Sequence, residues 1–80
     1  PGNLAMSSKF ITVKEIAKKY GLSYQTVNRY SDAGLISFVL KKGNIRYYDR
    51  GKVDSRMKKI AKLSGEGYSI MLIRRKLVGI

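Results

Sequence analysis

The stretch TVKEIAKKYGLSYQTVNRYSD, residues 12–32, decides the fold. Thr12 is a good N-cap, and Val13, Ile16, Ala17 and Tyr20 then recur at the spacing of one helix face until Gly21 supplies a stop. Ser23 opens a second run, Tyr24 to about Asp32, in which Val27 and Tyr30 stand three apart and Gly34 follows as terminator. Only Gly21, Leu22 and Ser23 separate the runs, and so short a connection makes two helices cross steeply around shared apolar residues. The spacing predicts a helix-turn-helix. Ala17 is the small residue where the helices touch, Gly21 takes the turn, and Val27 pins the second helix.

This order leaves Tyr24, Gln25, Thr26, Asn28 and Arg29 on faces that the core does not claim. A second helix presented in this way is the one that enters a major groove, where amide and guanidinium groups pair bidentately with base edges. Each of these side chains taken alone is equally well explained as solvent-facing; the set makes them candidates for base contact.

Downstream, Ser37 to Lys41 and Ile45 to Tyr48 are short segments rich in Phe, Val, Leu, Ile and Tyr, separated by Lys42, Gly43 and Asn44. They predict a β-hairpin wing. Lys41, Lys42 and Arg46 cluster at or near its tip, where they suit phosphate oxygens, although lysines also protect an exposed edge strand. Asp49 can cap a third helix with Val53, Met57, Ile60, Ala61 and Ser64 on its apolar face. Its basic residues fit either a DNA backbone or a solvated surface. Gly65 and Gly67 break that helix, and Ser69 starts a fourth with Ile70, Ile73 and Leu77 inward. Met71, Leu72, Val78 and Ile80 are then left over, which points to a partner, either a second copy or more of the protein. The expected fold class is mainly α with a small two-stranded hairpin, ordered helix-helix-wing-helix-helix.

Composition agrees. Eighty residues form one domain, and 17 Lys+Arg against 5 Asp+Glu give a formal net charge of +12, which implies a polyanionic partner. Cys and His are both absent, so disulfides, the usual zinc spacings and Cys or His catalysis are excluded. The five acids are scattered and there is no phosphate-binding glycine loop, so neither an enzyme nor a cofactor is expected. No apolar run approaches the roughly 20 residues of a membrane span, and a cytoplasmic, nucleoid-associated protein is expected. Pro1 to Ala5 read as vector-derived, with Met6 as the natural start and residues 6–80 as the single domain.

Several of these stretches together resemble the DNA-binding domain of the MerR-type transcriptional regulators, a bacterial-type family. They are Thr12, Val13, Glu15, Ile16 and Ala17; Gly21, Leu22, Ser23, Thr26 and Val27; Gly34, Leu35 and Ile36; Ile45, Arg46, Tyr47 and Tyr48; and Gly67, Tyr68, Ser69 and Ile73. The resemblance implies a winged-helix reader of double-stranded DNA, with Thr26, Arg29 and Tyr30 where the family touches DNA and Arg46 and Tyr47 where its wing does. Many members carry Arg-Tyr-Tyr in the second helix; Asn28, Arg29 and Tyr30 here are more similar to the excisionase-like branch and to phage packaging proteins of the same fold.

Two roles follow. One is a sequence-specific transcriptional regulator or its N-terminal domain, paired as a homodimer through a C-terminal extension. The other is an architectural factor in recombination, packaging or plasmid and chromosome maintenance. An RNA-binding module ranks last, because Tyr47 and Tyr48 are adjacent in a strand and point to opposite faces.

Overall fold

The computed structural model describes residues 9–79. Pro1 to Ala5, Met6 and Ile80, all of which figure in the sequence reading, lie outside the described residues. Seven elements follow one another: β1 (Phe10–Thr12), α1 (Val13–Tyr20), α2 (Tyr24–Asp32), β2 (Phe38–Lys42), β3 (Ile45–Asp49), α3 (Arg50–Gly65) and α4 (Ile70–Val78).

The helix starts are set by side chains that satisfy first-turn amides. Thr12 forms a capping box with Glu15: the Glu15 amide donates to Thr12 Oγ1 at 3.3 Å and the Thr12 amide to Glu15 Oε1 at 2.9 Å. Ser23 accepts from the Thr26 amide, Asp49 from Lys52 and Ser69 from Leu72, so all four expected caps form. Between α1 and α2 the chain reverses at Gly21, whose φ of 65° is left-handed, and the Leu22 amide donates back to the Ala17 carbonyl at 2.9 Å.

The sheet has three strands rather than the expected two. β3 is central, with β2 and β1 antiparallel on either side. Phe10, Ile11 and Thr12 pair with Asp49, Tyr48 and Tyr47, and the Arg50 amide donates to the Lys9 carbonyl, extending the ladder. β2 and β3 form the anticipated hairpin, closed by Lys42 opposite Ile45 and irregular between Phe38 and Leu40.

Ile11, Ile16, Ala17, Val27, Leu35, Ile36, Tyr48, Val53, Met57, Ile60 and Ile73 make one buried core from every element except β2. On α3 the expectation fails at two positions: Ala61 and Ser64 are exposed, and Leu63 packs against the core instead. Leu63 lies three residues beyond Ile60, one step of the 3.6-residue period, and its larger side chain reaches the core from there. On α4, Ile73 is buried with Ile70 and Leu77 beside it, as expected.

Away from the hairpin, α1 is tied to α3. The Tyr20 hydroxyl donates to the Asp54 carboxylate, which also receives Lys19 Nζ at 2.9 Å. Burial, then the Asp54 hydrogen bond and charge, push the Tyr20 phenol up to about 12, while the Tyr20 and Lys19 hydrogen bonds hold the Asp54 carboxyl below its ordinary range.

Two consequences can be measured. A raised phenol stabilises the fold fully below its unfolded pKa of about 10 and loses that contribution as pH rises to about 12. Thermal scans should therefore show a fall in melting temperature across that window that is smaller in Tyr20→Phe. Val27 is fully buried, so Val27→Asp places an uncompensated carboxylate in the core and should abolish the cooperative transition; a folded variant with the parent's melting temperature contradicts the packing described.

Candidate nucleic-acid interface

α2 and the hairpin face each other across an open cleft of about 670 Å³. Tyr24, Asn28 and Asp32 line it from α2; they recur every fourth residue and so share one helix face. Lys41, Asn44, Ile45, Arg46 and Tyr47 line it from the hairpin, and Thr12, Val13 and Lys14 from the start of α1.

Of the residues expected from sequence, this cleft brings together Tyr24, Asn28, Lys41, Arg46 and Tyr47. Gln25, Arg29 and Lys42 are exposed but do not line it. Gln25 and Arg29 each follow a cleft residue by one position, about 100° around the helix, so they point beside the cleft and away from the core. Thr26 is half-buried, its Oγ1 3.0 Å from Ser23 Oγ at the helix cap. Tyr30 is half-buried against the core, which leaves part of its ring at the surface. The cleft also contains residues that were not expected at the interface: Thr12, Val13, Lys14, Asn44, Ile45 and the acidic Asp32. Lys14 was legible in principle, since the Thr12 cap places it in the first turn of α1.

The two walls are held by Tyr48, whose hydroxyl lies 2.9 Å from Ser31 Oγ on α2. Tyr48 is buried while its neighbour Tyr47 is half-exposed at the cleft, the opposite facing expected of adjacent strand residues. Arg46 lies over the Phe38 ring, 5.1 Å from its centroid, a cation–π contact that orients the guanidinium.

Among the described residues, no carboxylate forms an ion pair with Lys14, Arg29, Lys41, Lys42 or Arg46; the Lys19–Asp54 pair lies elsewhere. The charge beside α2 is therefore uncompensated apart from Asp32 at the helix end. Such a surface attracts polyanions.

The family model for MerR HTH family regulatory proteins matches residues 11–79. The chain belongs to the MerR family. As a MerR-family helix-turn-helix domain it is a DNA-binding transcription regulator module, and the match spans every element from Ile11 in β1 through α4. No curated protein and no solved structure matches the chain. Among the described residues of this MerR domain, no helix is long and apolar enough to cross a membrane, and no cluster of acidic residues is suited to a metal ion.

If the unpaired cations hold phosphates, each one removed should flatten the dependence of binding on salt. Lys14→Ala, Lys42→Ala and Arg46→Ala should each weaken cognate and random duplexes alike and reduce the slope of log K against log [salt] by about 0.9. An unchanged slope for Lys14→Ala, measured by fluorescence anisotropy at several salt concentrations, would remove that residue from the interface.

Proposed function

We propose that this domain reads double-stranded DNA in a sequence-specific way, with α2 in the major groove and the β2–β3 hairpin acting as a wing on the flanking phosphates. The observation that carries the reading is the outer surface of α2. Tyr24, Gln25, Asn28 and Arg29 are exposed on adjoining faces of one helix, beside a hairpin whose cations lack counter-charges. Asn28 and Gln25 have the amide geometry for adenine, and Arg29 that for the O6 and N7 acceptors of guanine. Thr26, with its hydroxyl at the helix start, and the accessible part of Tyr30 act as contacts to the backbone. Lys41, Lys42, Arg46 and Tyr47 fix the register of the hairpin on the phosphates.

On this reading the domain works on the nucleoid, in the cytoplasm, within a transcriptional regulator. Met71, Leu72 and Val78 are exposed on α4, and this apolar surface supports pairing of two copies through sequence that follows the domain. The two half-sites of such a dimer lie about one helical turn, or a multiple of it, apart.

The test is selection from random duplex DNA, followed by titration at two salt concentrations. An enriched motif bound over random DNA by ~10³ or more establishes a specific reader, and its half-site spacing reports the dimer. Salt-sensitive binding without a motif favours the architectural alternative. Within the motif, Arg29→Ala should reduce the preference for cognate over random duplex by about 1–3 kcal/mol. Equal losses on both duplexes would show that α2 is not the base reader.

A further inference from the structure

We propose that the hairpin also works as an apolar wedge: Ile45, backed by Leu40, enters the minor groove next to the α2 site and opens one base step. The inference rests on the placement of α2 in the major groove proposed above, and adds a distortion of the duplex that a phosphate-holding wing does not require.

The motivating observation is an inversion of ordinary hairpin chemistry. β2 is an edge strand of the sheet, and all five of its residues are exposed. Phe38, Val39 and Leu40 are 44, 52 and 41% exposed, and Ile45 across the turn is 49% exposed. An edge strand is usually blunted by polar residues, and exposed apolar surface concentrated on one element marks a surface that something covers.

The pairing register shows what kind of surface this is. Directly opposed residues share a face of a hairpin, which groups Leu40 with Tyr47 and Ile45 with Lys42, and places Lys41 with Arg46 on the other face. Ile45 and Lys42 are the last pair before the two-residue turn at Gly43 and Asn44, so the tip carries an isoleucine with cations within one pair of it.

A cover for this tip must offer apolar area rimmed by negative charge. A second copy of a chain with net charge +12 brings more cations to the same place. A duplex meets the requirement where phosphates line a groove and the faces of stacked bases lie between them. Apolar side chains reach those faces from the minor groove by parting a base step. The cleft supplies continuity, because Ile45 borders the same concavity as Asn28 of α2, and the minor groove is what a duplex presents beyond the phosphates flanking the major groove.

Size determines how deep the entry goes. The minor groove is about 6 Å wide, whereas two strands about 4.8 Å apart with their side chains are broader, so only the tip enters and the groove must widen. Widening by a wedge bends the duplex toward the major groove. Pyrimidine–purine steps part most easily, so the selected motif should carry such a step outside the bases read by α2.

The experiment uses the full chain on its selected duplex, with 2-aminopurine at the step beside the α2 contacts and a donor–acceptor pair at the duplex ends. The wild-type protein should raise 2-aminopurine fluorescence severalfold at one step and shorten the end-to-end distance. Ile45→Ala, an exposed change expected to leave the melting temperature intact, should keep the motif and salt slope but lose both signals, with Leu40→Ala giving a partial loss. Specific binding with no fluorescence rise, or an Ile45→Ala variant that keeps it, overturns the wedge and leaves the proposed function standing. Binding without a motif but with Ile45-dependent unstacking on random duplex supports the wedge and overturns the specific reader. A wild-type chain that sediments as a dimer when Ile45→Ala is monomeric, with equal bending by both, identifies the tip as a protein contact and also overturns the wedge.

Discussion

Tyr48 is the side chain on which the arrangement of this domain depends. It is the largest of the fully buried side chains, sits on the central strand opposite Ile11 of β1 and Phe38 of β2, and meets the Phe38 ring edge-on at 6.3 Å. Its hydroxyl bonds Ser31 on α2. One residue thus joins both outer strands to the helix across from them, and the angle between α2 and the hairpin follows. A phenol is tolerated at such depth because its one polar atom has a partner; the same position filled by Phe would pack but would leave Ser31 unpaired. With no disulfide available and a core of this size, few other contacts could hold the hairpin to the helices.

Much of this was legible because the signals are local. Thr12, Ser23, Asp49 and Ser69 cap their own first turns, Gly21 takes the left-handed turn, and the apolar spacing of α1 and α2 needs only neighbouring residues to be read. β1 was hidden for the opposite reason. Three residues, Phe-Ile-Thr, are too short for an alternation signal, and their strand character comes from pairing with Asp49, Tyr48 and Tyr47 nearly forty positions away. The exchange of Ala61 and Ser64 for Leu63 on α3 has a similar origin: a helix face is fixed by what packs on it, here together with Tyr68 and α4. Lys14 and Ile45 escaped because a cleft between distant elements leaves no mark in sequence spacing.

The five carboxylates explain how a chain of this charge keeps a fold. Glu15 closes the capping box, Asp49 caps α3, and Asp54 receives Tyr20 and Lys19. Glu66 lies at the end of α3. Three of the five acids are thus placed where they organise backbone or join helices, and among the described residues no carboxylate forms an ion pair with the cations beside α2. Self-repulsion among those cations costs stability, and a polyanion relieves it on binding. On the proposed reading, stability is drawn mainly from the caps and the buried cluster, and affinity mainly from exposed cations that contribute little to the fold.

Asp32, the one acid in the cleft, gives the surface a direction. It ends α2, where the helix dipole is already negative, while no acid occupies the first turn at Tyr24. Along the 9-residue helix the field therefore runs from favourable to unfavourable for a phosphate. With α2 placed in a major groove as proposed, a duplex that laid its backbone against the Asp32 end would meet a carboxylate and a helix C-terminus together. On that reading the backbone is kept from the Asp32 end, and the N-terminal half of the helix is turned toward the base edges. That is the half bearing Tyr24, Gln25 and Asn28, so the charge gradient along α2 and the positions of its polar side chains select the same docking orientation.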